Sequence, residues 1–330
     1  MSTVSTGFKV VSTYRFTPTS LHLLQEAASS EVLCVTDQEQ LIAQLPETEV
    51  LCSFSVPSNW HQLAPNLRWL QYPGAGVDGL RESGLLDTQS RVVVTSATGI
   101  HSATISEYVF GSMLMFNWNW PQMVRLQDSH LWARSAGWYN LGGRELAGQT
   151  LGVIGIGNIG RRIAQVGRAF GMRVLGIRRS FSKGDSFDPD LDRSYPPSAL
   201  HELLGQADYV VLAVPLTAET THLIGEAELR AMKSGAYLVN IARGRVVDEQ
   251  ALMQALREGW IGGAGLDVTE VEPLPSQSPL YTMPNVILTP HIAGVSIHYE
   301  NRLAQLFAEN LRRYRSGEPL LNRFDPARGY

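Results

Sequence analysis

Cysteine is scarce: only Cys34 and Cys52 occur in 330 residues. Two thiols build neither a disulfide framework nor a cysteine-rich zinc centre, and both stand in apolar runs where they read as small core hydrophobes. No apolar run reaches the ~18 residues that a membrane span needs. The N-terminal stretch lacks the charged-then-apolar pattern of a secretory signal. A charge excess is missing too, since 27 Lys+Arg against 31 Asp+Glu leave a formal net charge of −4. A chain so close to neutral carries no global basic field for nucleic acid or anionic lipid. Internal repeats, low-complexity tracts and long linkers are also absent. With 44% hydrophobic and 18% charged residues, the composition is that of a folded chain, not a disordered one. These absences predict a reduced, cytoplasmic protein with no metal centre, no membrane anchor and no nucleic-acid partner. At ~100–200 residues per domain, the length predicts two domains, or three.

Short apolar strands alternate with amphipathic stretches through the N-terminal third. Residues 8–13, 31–36, 49–54, 68–72 and 91–97 read as strands, and 20–28 and 38–44 as helices. That alternation predicts a parallel sheet covered on both faces. This block has no glycine fingerprint. The apolar stretch 106–118 is too long for a strand and reads as a helix leaving the first domain. Trp118, Trp120, Trp132 and Trp138 crowd the next residues, either as core and interface packing or as an aromatic lid over a ligand site. From Gln149 a second series begins, with six strand candidates at 150–154, 173–177, 209–214, 236–241, 262–267 and 286–289. Helical periodicity lies between them, clearest at 248–257 with Leu252, Ala255 and Leu256 on one face. Six strands with helical crossovers fit a doubly wound dinucleotide-binding domain. The Ser-, Asp- and Pro-rich stretch 180–197 reads as a surface loop, and 299–314 as one helix free to return to the first domain.

Gly155-Ile156-Gly157-Asn158-Ile159-Gly160 is a GxGxxG motif between the strand 150–154 and a helix at 159–170. In that context Gly155 permits the tight turn and Gly157 lets the backbone approach a pyrophosphate. Gly160 permits close packing of helix and strand, and the helix N-terminus offers unpaired N–H groups to phosphate. Dinucleotide sites selective for NAD place an acid at the end of the next strand, on the ribose hydroxyls. Here that position is Arg178, followed by Arg179 and Ser180. Two guanidiniums and a hydroxyl suit a 2′-phosphate through charge-assisted, bidentate hydrogen bonds, which predicts NADP(H) over NAD(H).

Open α/β sheets bind ligands outside the carboxyl ends of their strands. Three ends in the second series carry reactive groups. The fourth strand leads into Asn240-Ile241-Ala242-Arg243-Gly244. The fifth ends at Asp267 and continues Val268-Thr269-Glu270-Val271-Glu272-Pro273, and the sixth gives Thr289-Pro290-His291-Ile292-Ala293-Gly294. An Arg, a Glu and a His converging beside a nicotinamide would supply a counter-charge, an orienting acid and a proton donor for a 2-keto acid.

With these motifs, together with Gln71-Tyr72-Pro73-Gly74-Ala75-Gly76-Val77-Asp78 and the segment 240–248, nearly the whole chain resembles the D-isomer-specific 2-hydroxyacid dehydrogenases. The similarity is strongest to the glyoxylate/hydroxypyruvate reductase branch. The resemblance implies an α/β protein of two domains. A flavodoxin-like substrate domain would comprise 1–100 and 293–330, and a Rossmann cofactor domain 101–292. It implies that Arg243 holds the carboxylate and keto oxygen of a small 2-keto or 2-hydroxy acid, with His291 as proton donor. Glu272 would hydrogen-bond His291 and raise its pKa. Glu270 competes for that role, but the family's acid lies five residues after the strand Asp, at Glu272. Backbone N–H groups of Ala75 and Gly76 would cradle the carboxylate. Asp267 would lie near the nicotinamide amide, and Val214, Pro215, Ile241, Ala242 and Gly294 would complete the cofactor site beside Asn158 and Ile159. Reduction should weaken at alkaline pH as His291 loses its proton. Relatives are usually homodimers, in which Trp132 or Trp138 would be placed to reach the partner's site.

Several features depart from the family or leave the reading open. Gly79 stands where Asn or His is common, which predicts a larger or looser substrate loop. Ser53-Phe54-Ser55 falls in a segment that often shapes the pocket, yet names no substrate. The short stretch after His291 leaves no room for the regulatory domain of serine-pathway members. Bulkier 2-keto acids and a dinucleotide-sensing corepressor remain alternatives. So does another enzyme on the scaffold, such as a phosphite or formate dehydrogenase, though the latter carries Gln where this chain has Glu272.

Overall fold

A computed structural model describes residues 8–132, 143–179 and 188–327. Contacts between Cα atoms divide the chain into two units, residues 1–101 with 296–330, and residues 102–295.

In the first unit, β1 (Val10–Ser12), β2 (Val32–Cys34), β3 (Val50–Cys52), β4 (Trp69–Gln71) and β5 (Val93–Thr95) form a parallel sheet in the order β2-β1-β3-β4-β5. This is the strand order of flavodoxin-like folds. The strands are three residues long, and β1, β3 and β4 are buried throughout, which is why they read as continuous apolar runs. α1 (Pro18–Ala28) starts where Thr17 Oγ1 accepts the Ser20 amide and Pro18 fixes φ in the first turn. α2 (Gln38–Gln44) is capped by Asp37, and α3 (Trp60–Leu63) is a single turn. One face of the sheet packs on α1 and on α10 (Tyr299–Ser316) through Leu24, Trp69, Leu303, Phe307 and Leu311. Cys52 is fully buried in this layer, and burial pushes its thiol up to about 12; Cys34 is only partly buried.

In the second unit, β6 (Thr150–Ile154), β7 (Arg173–Ile177), β8 (Arg193–Tyr195), β9 (Tyr209–Leu212), β10 (Tyr237–Asn240), β11 (Gly263–Leu266) and β12 (Val286–Leu288) form one parallel sheet. Its order is β12-β11-β10-β9-β6-β7-β8, which is a doubly wound Rossmann sheet with its switch point between β6 and β9. Successive strand residues face opposite layers. Leu151, Val153, Val211 and Val239 meet α4 (Ser102–Asn117) and α6 (Asn158–Ala169). Ile154, Val210, Leu212 and Leu238 meet α7 (Leu200–Leu204), α8 (Glu226–Ala231) and α9 (Glu249–Glu258). α5 (Trp120–Asp128) has no buried residue.

Two expectations are corrected here. The stretch 180–197 is not all loop, because its described end contains β8, the edge strand that makes this sheet seven-stranded. The buried Tyr195 ring, with Arg193 stacked on it at 4.5 Å, anchors that strand to the α7 side. Nor are Trp118, Trp120 and Trp132 core residues, because all three are exposed, which leaves interface packing open; Trp138 lies outside the described residues.

Candidate active site

The glycine loop follows a strand whose five residues are all buried. Gly155 turns the chain with φ at +103°, and a Cβ there would stand 2.6 Å from the Ala213 carbonyl oxygen and 2.9 Å from Val214 Cγ1. The loop therefore lies against the end of β9, beside Val214 and Pro215, whose carbonyl accepts the Thr220 hydroxyl at 2.6 Å. A Cβ on Gly160 would overlap the Gly155 carbonyl. Gly157 is different: it is exposed, and no heavy atom lies within 4 Å of where its Cβ would be. It is the N-cap of α6 and supplies no capping side chain, so the first amides of the helix, at Asn158 and Ile159, take no bond from a cap. Open backbone with a helix dipole behind it fits the pyrophosphate of a dinucleotide.

Arg178 and Arg179 leave the end of β7, Arg178 half-buried and Arg179 exposed. The Arg178 amide donates to the Tyr195 carbonyl at 3.3 Å. Asp188 is buried nearby. Burial pushes its carboxyl up, but hydrogen bonds from Arg161 and the Asp190 amide, with the charges of Arg161 and Arg178, hold it below the usual range. Arg161 spans Asp188 at 2.9 Å and Asp190 at 2.8 Å, which ties α6 to the chain after β7. Ser180 lies outside the described residues.

The strand ends of β10, β11 and β12 are interlocked. Asn240 folds the β10 end back on itself, its Oδ1 accepting the Ala242 amide at 3.1 Å and its Nδ2 donating to the Arg243 carbonyl at 2.9 Å. Ile241 and Ala242 are buried and Arg243 is half-buried, its Nη1 donating to the Ala242 carbonyl at 2.6 Å. A Cβ on Gly244 would run into the Thr269–Glu270 peptide, so the arginine loop packs backbone to backbone on the acid loop.

In that loop the Thr269 amide donates to Glu272 Oε1 at 3.1 Å, and Glu272 Oε2 meets His291 Nδ1 at 2.8 Å. Glu270 turns elsewhere, to His222 Nε2 at 3.0 Å and the Glu249 amide at 3.2 Å. His291 sits in left-handed backbone, φ +55°, and Asp267 holds it there. The His291 amide donates to the Asp267 carbonyl at 2.8 Å. Asp267 Oδ1 accepts from the Ile292 amide at 2.8 Å and from Thr289 Oγ1 at 2.7 Å, and Oδ2 accepts from the Ala293 amide at 2.9 Å. With the Thr289 proton spent on Asp267, the Tyr108 hydroxyl donates to Thr289 at 2.7 Å; burial pushes that phenol up to about 12. Gly294 follows, partly exposed. A carboxylate on Nδ1 fixes the imidazole tautomer and leaves Nε2 as the atom that holds or releases a proton.

Sequence reading missed Tyr108 and Thr289 as supports of this turn, and Asn240 as the clamp of the arginine loop. Asn240 carried a signal as a polar residue ending a buried strand; Tyr108, 181 residues from its partner, carried none.

In the first unit Gly74, Ala75 and Gly76 follow β4 and are partly exposed. At Gly79 a Cβ would stand 3.1 Å from the Tyr72 hydroxyl. Phe54 is 46% exposed and meets the Tyr72 ring edge-on at 5.4 Å. His101 is buried against Tyr299, and burial with the Arg302 charge pushes its imidazole down to about 4.

Residues 110–293 match the sequence model of the D-isomer specific 2-hydroxyacid dehydrogenase, NAD binding domain. Among curated relatives, a glyoxylate reductase of Korarchaeum cryptofilum is 38% identical over 266 residues, which is 78% of this chain and 76% of that one. Among solved structures, a D-isomer specific 2-hydroxyacid dehydrogenase family protein from Aeromonas salmonicida has a TM-score of 0.84 at 33% identity, covering 97% of this chain and 100% of that one. An NADPH-dependent glyoxylate/hydroxypyruvate reductase from Sinorhizobium meliloti, in complex with NADP and sulfate, has a TM-score of 0.82 at 26% identity, covering 98% and 100%.

Proposed function

Because the chain belongs to the D-isomer-specific 2-hydroxyacid dehydrogenase family, in its glyoxylate/hydroxypyruvate reductase branch, we propose that it reduces a small 2-keto acid of the glyoxylate or hydroxypyruvate kind to the D-2-hydroxy acid with NADPH. The observation that carries this reading is the 2.8 Å contact of Glu272 with His291 Nδ1. It occupies Nδ1 and orients the imidazole, so that Nε2–H is the proton donor to the keto oxygen. Arg243 holds the carboxylate and the keto oxygen in its guanidinium fork, and the amides of Ala75 and Gly76 bind the carboxylate. The backbone at Gly155, Gly157, Asn158, Ile159 and Gly160 holds the cofactor's pyrophosphate. Val214, Pro215, Ile241, Ala242, Asp267 and Gly294 line its path to the nicotinamide. Arg178, Arg179 and Ser180 take the 2′-phosphate. A bound nicotinamide dinucleotide supplies the hydride. The enzyme works as a homodimer in the cytoplasm, a second copy covering the exposed apolar side of α5.

Initial rates with NADPH and NADH over glyoxylate, hydroxypyruvate, pyruvate and phenylpyruvate test the reading. NADPH should give the higher kcat/KM on the small acids. Arg178→Asp should raise the KM for NADPH tenfold or more, on the order of one charge-assisted contact. Turnover of phenylpyruvate alone would replace the substrate, and tight NADPH binding without turnover on any acid would overturn the enzymatic reading.

A further inference from the structure

Three consecutive carbonyls of the loop after β4 are held by donors from its own unit. The Tyr299 hydroxyl donates to the Pro73 carbonyl at 2.8 Å, the Ala97 amide to the Gly74 carbonyl at 2.8 Å, and Thr98 Oγ1 to the Ala75 carbonyl at 3.2 Å. In a trans peptide the N–H points opposite to the preceding C=O. Each bond therefore aims one amide away from its donor: Gly74 through Tyr299, Ala75 through Ala97, and Gly76 through Thr98. Among the described residues these three amides donate to nothing. Successive free backbone amides in a turn can form an anion-binding concavity.

Of the two side-chain holders, Tyr299 is the more firmly placed. It is the first residue of α10, and its neighbours anchor that end. Glu300 Oε1 accepts the Thr17 amide at 2.9 Å and its hydroxyl at 3.2 Å, while Arg302 donates to the Ile100 carbonyl at 3.2 Å. The Tyr299 ring packs on Tyr14 at 6.1 Å and on His101 at 5.2 Å between centroids. Burial pushes its phenol up, so the hydroxyl keeps its proton and stays a donor throughout the working range.

We propose that Tyr299 is a positioning residue for substrate binding, its hydroxyl holding the Pro73 carbonyl so that the amides of Gly74, Ala75 and Gly76 stay turned toward the substrate carboxylate. This rests on the reading above that the loop receives that carboxylate. Tyr299→Phe keeps both ring contacts and removes only the hydroxyl. Its KM for the 2-keto acid should rise roughly three- to tenfold, the span of one neutral hydrogen bond. Its kcat, KM for NADPH and melting temperature should stay close to wild type, a split that a merely structural role would not produce. Thr98→Val, which removes the next holder, should raise the same KM, and it decides the matter if Tyr299→Phe does not fold. An unchanged KM in a folded variant, or a fall in kcat with KM unchanged, overturns the proposal while the wild type still turns over. A wild type that reduces no 2-keto acid overturns the functional reading, and this proposal with it.

Discussion

At Asp267 three donors converge on a carboxylate that is 3% exposed. Burying a charge is costly unless hydrogen bonds replace its water, and here each oxygen accepts at least one. Those bonds hold a histidine in a backbone region that a non-glycine residue seldom takes. The acid therefore acts first on the geometry of the His291 turn. Asp267→Asn separates that role from a direct one on the cofactor. An amide has a single acceptor oxygen, so one turn amide or the Thr289 hydroxyl would face an NH2 group. The expected cost is about 1.5–3 kcal/mol of stability, the worth of a hydrogen bond to a charged group. The turn should drift as well, lowering kcat about tenfold or more. Urea unfolding and steady-state rates, measured together, check this. Undiminished stability with only the NADPH affinity lost would mean that the carboxylate serves the cofactor instead.

Among the elements, legibility followed burial and locality. β6 and β7 were readable to the residue because they are central, five residues long and apolar. β8 was not: Arg-Ser-Tyr is short and polar, it pairs on one side only, and its single apolar anchor is the Tyr195 ring. The reactive residues at the ends of β10, β11 and β12 stood out because each follows directly on an apolar run. Tyr108, which supports the His291 turn, did not, because it reaches Thr289 across 181 residues of sequence; nor did Tyr299, whose partner in the loop after β4 lies 226 residues away. The choice of Glu272 over Glu270 came from the family's spacing, and the geometry gives the two acids different histidines. Within the glycine loop the motif gives each glycine its own role, and their surroundings separate them in the same way. Gly160→Ala would force a methyl into the Gly155 carbonyl and should destabilise the fold by about 1–3 kcal/mol, the usual cost of overpacking. Gly157→Ala meets open space, so thermal unfolding should be nearly unchanged while the Kd for NADPH, read by fluorescence titration, rises about tenfold or more. If both variants lose stability alike, Gly157 is a turn glycine and not a phosphate cradle.

For the molecule as a whole, the apolar surface around α5 demands a partner more plainly than any other feature. None of the nine residues of this helix is buried. Trp120 and Val124 on it, with Trp118 before it and Leu131 and Trp132 after it, are all exposed. Large apolar residues scattered singly over a surface need no explanation, but with five exposed within residues 118–132 we expect a partner to cover them. These large apolar side chains suit another protein surface. A second copy is the simplest, since a two-fold axis lets one patch cover its own image. The wild type should then sediment as a dimer of the 36.4 kDa chain, and its melting temperature should rise with protein concentration. A variant carrying Trp120→Glu and Val124→Glu puts four like charges into a two-fold interface and should sediment as a monomer. Because neither residue contributes to the buried cores of its unit, the monomer should keep its secondary structure and its NADPH affinity. A wild type that stays monomeric at tens of micromolar would leave the apolar side of α5 to a different protein partner.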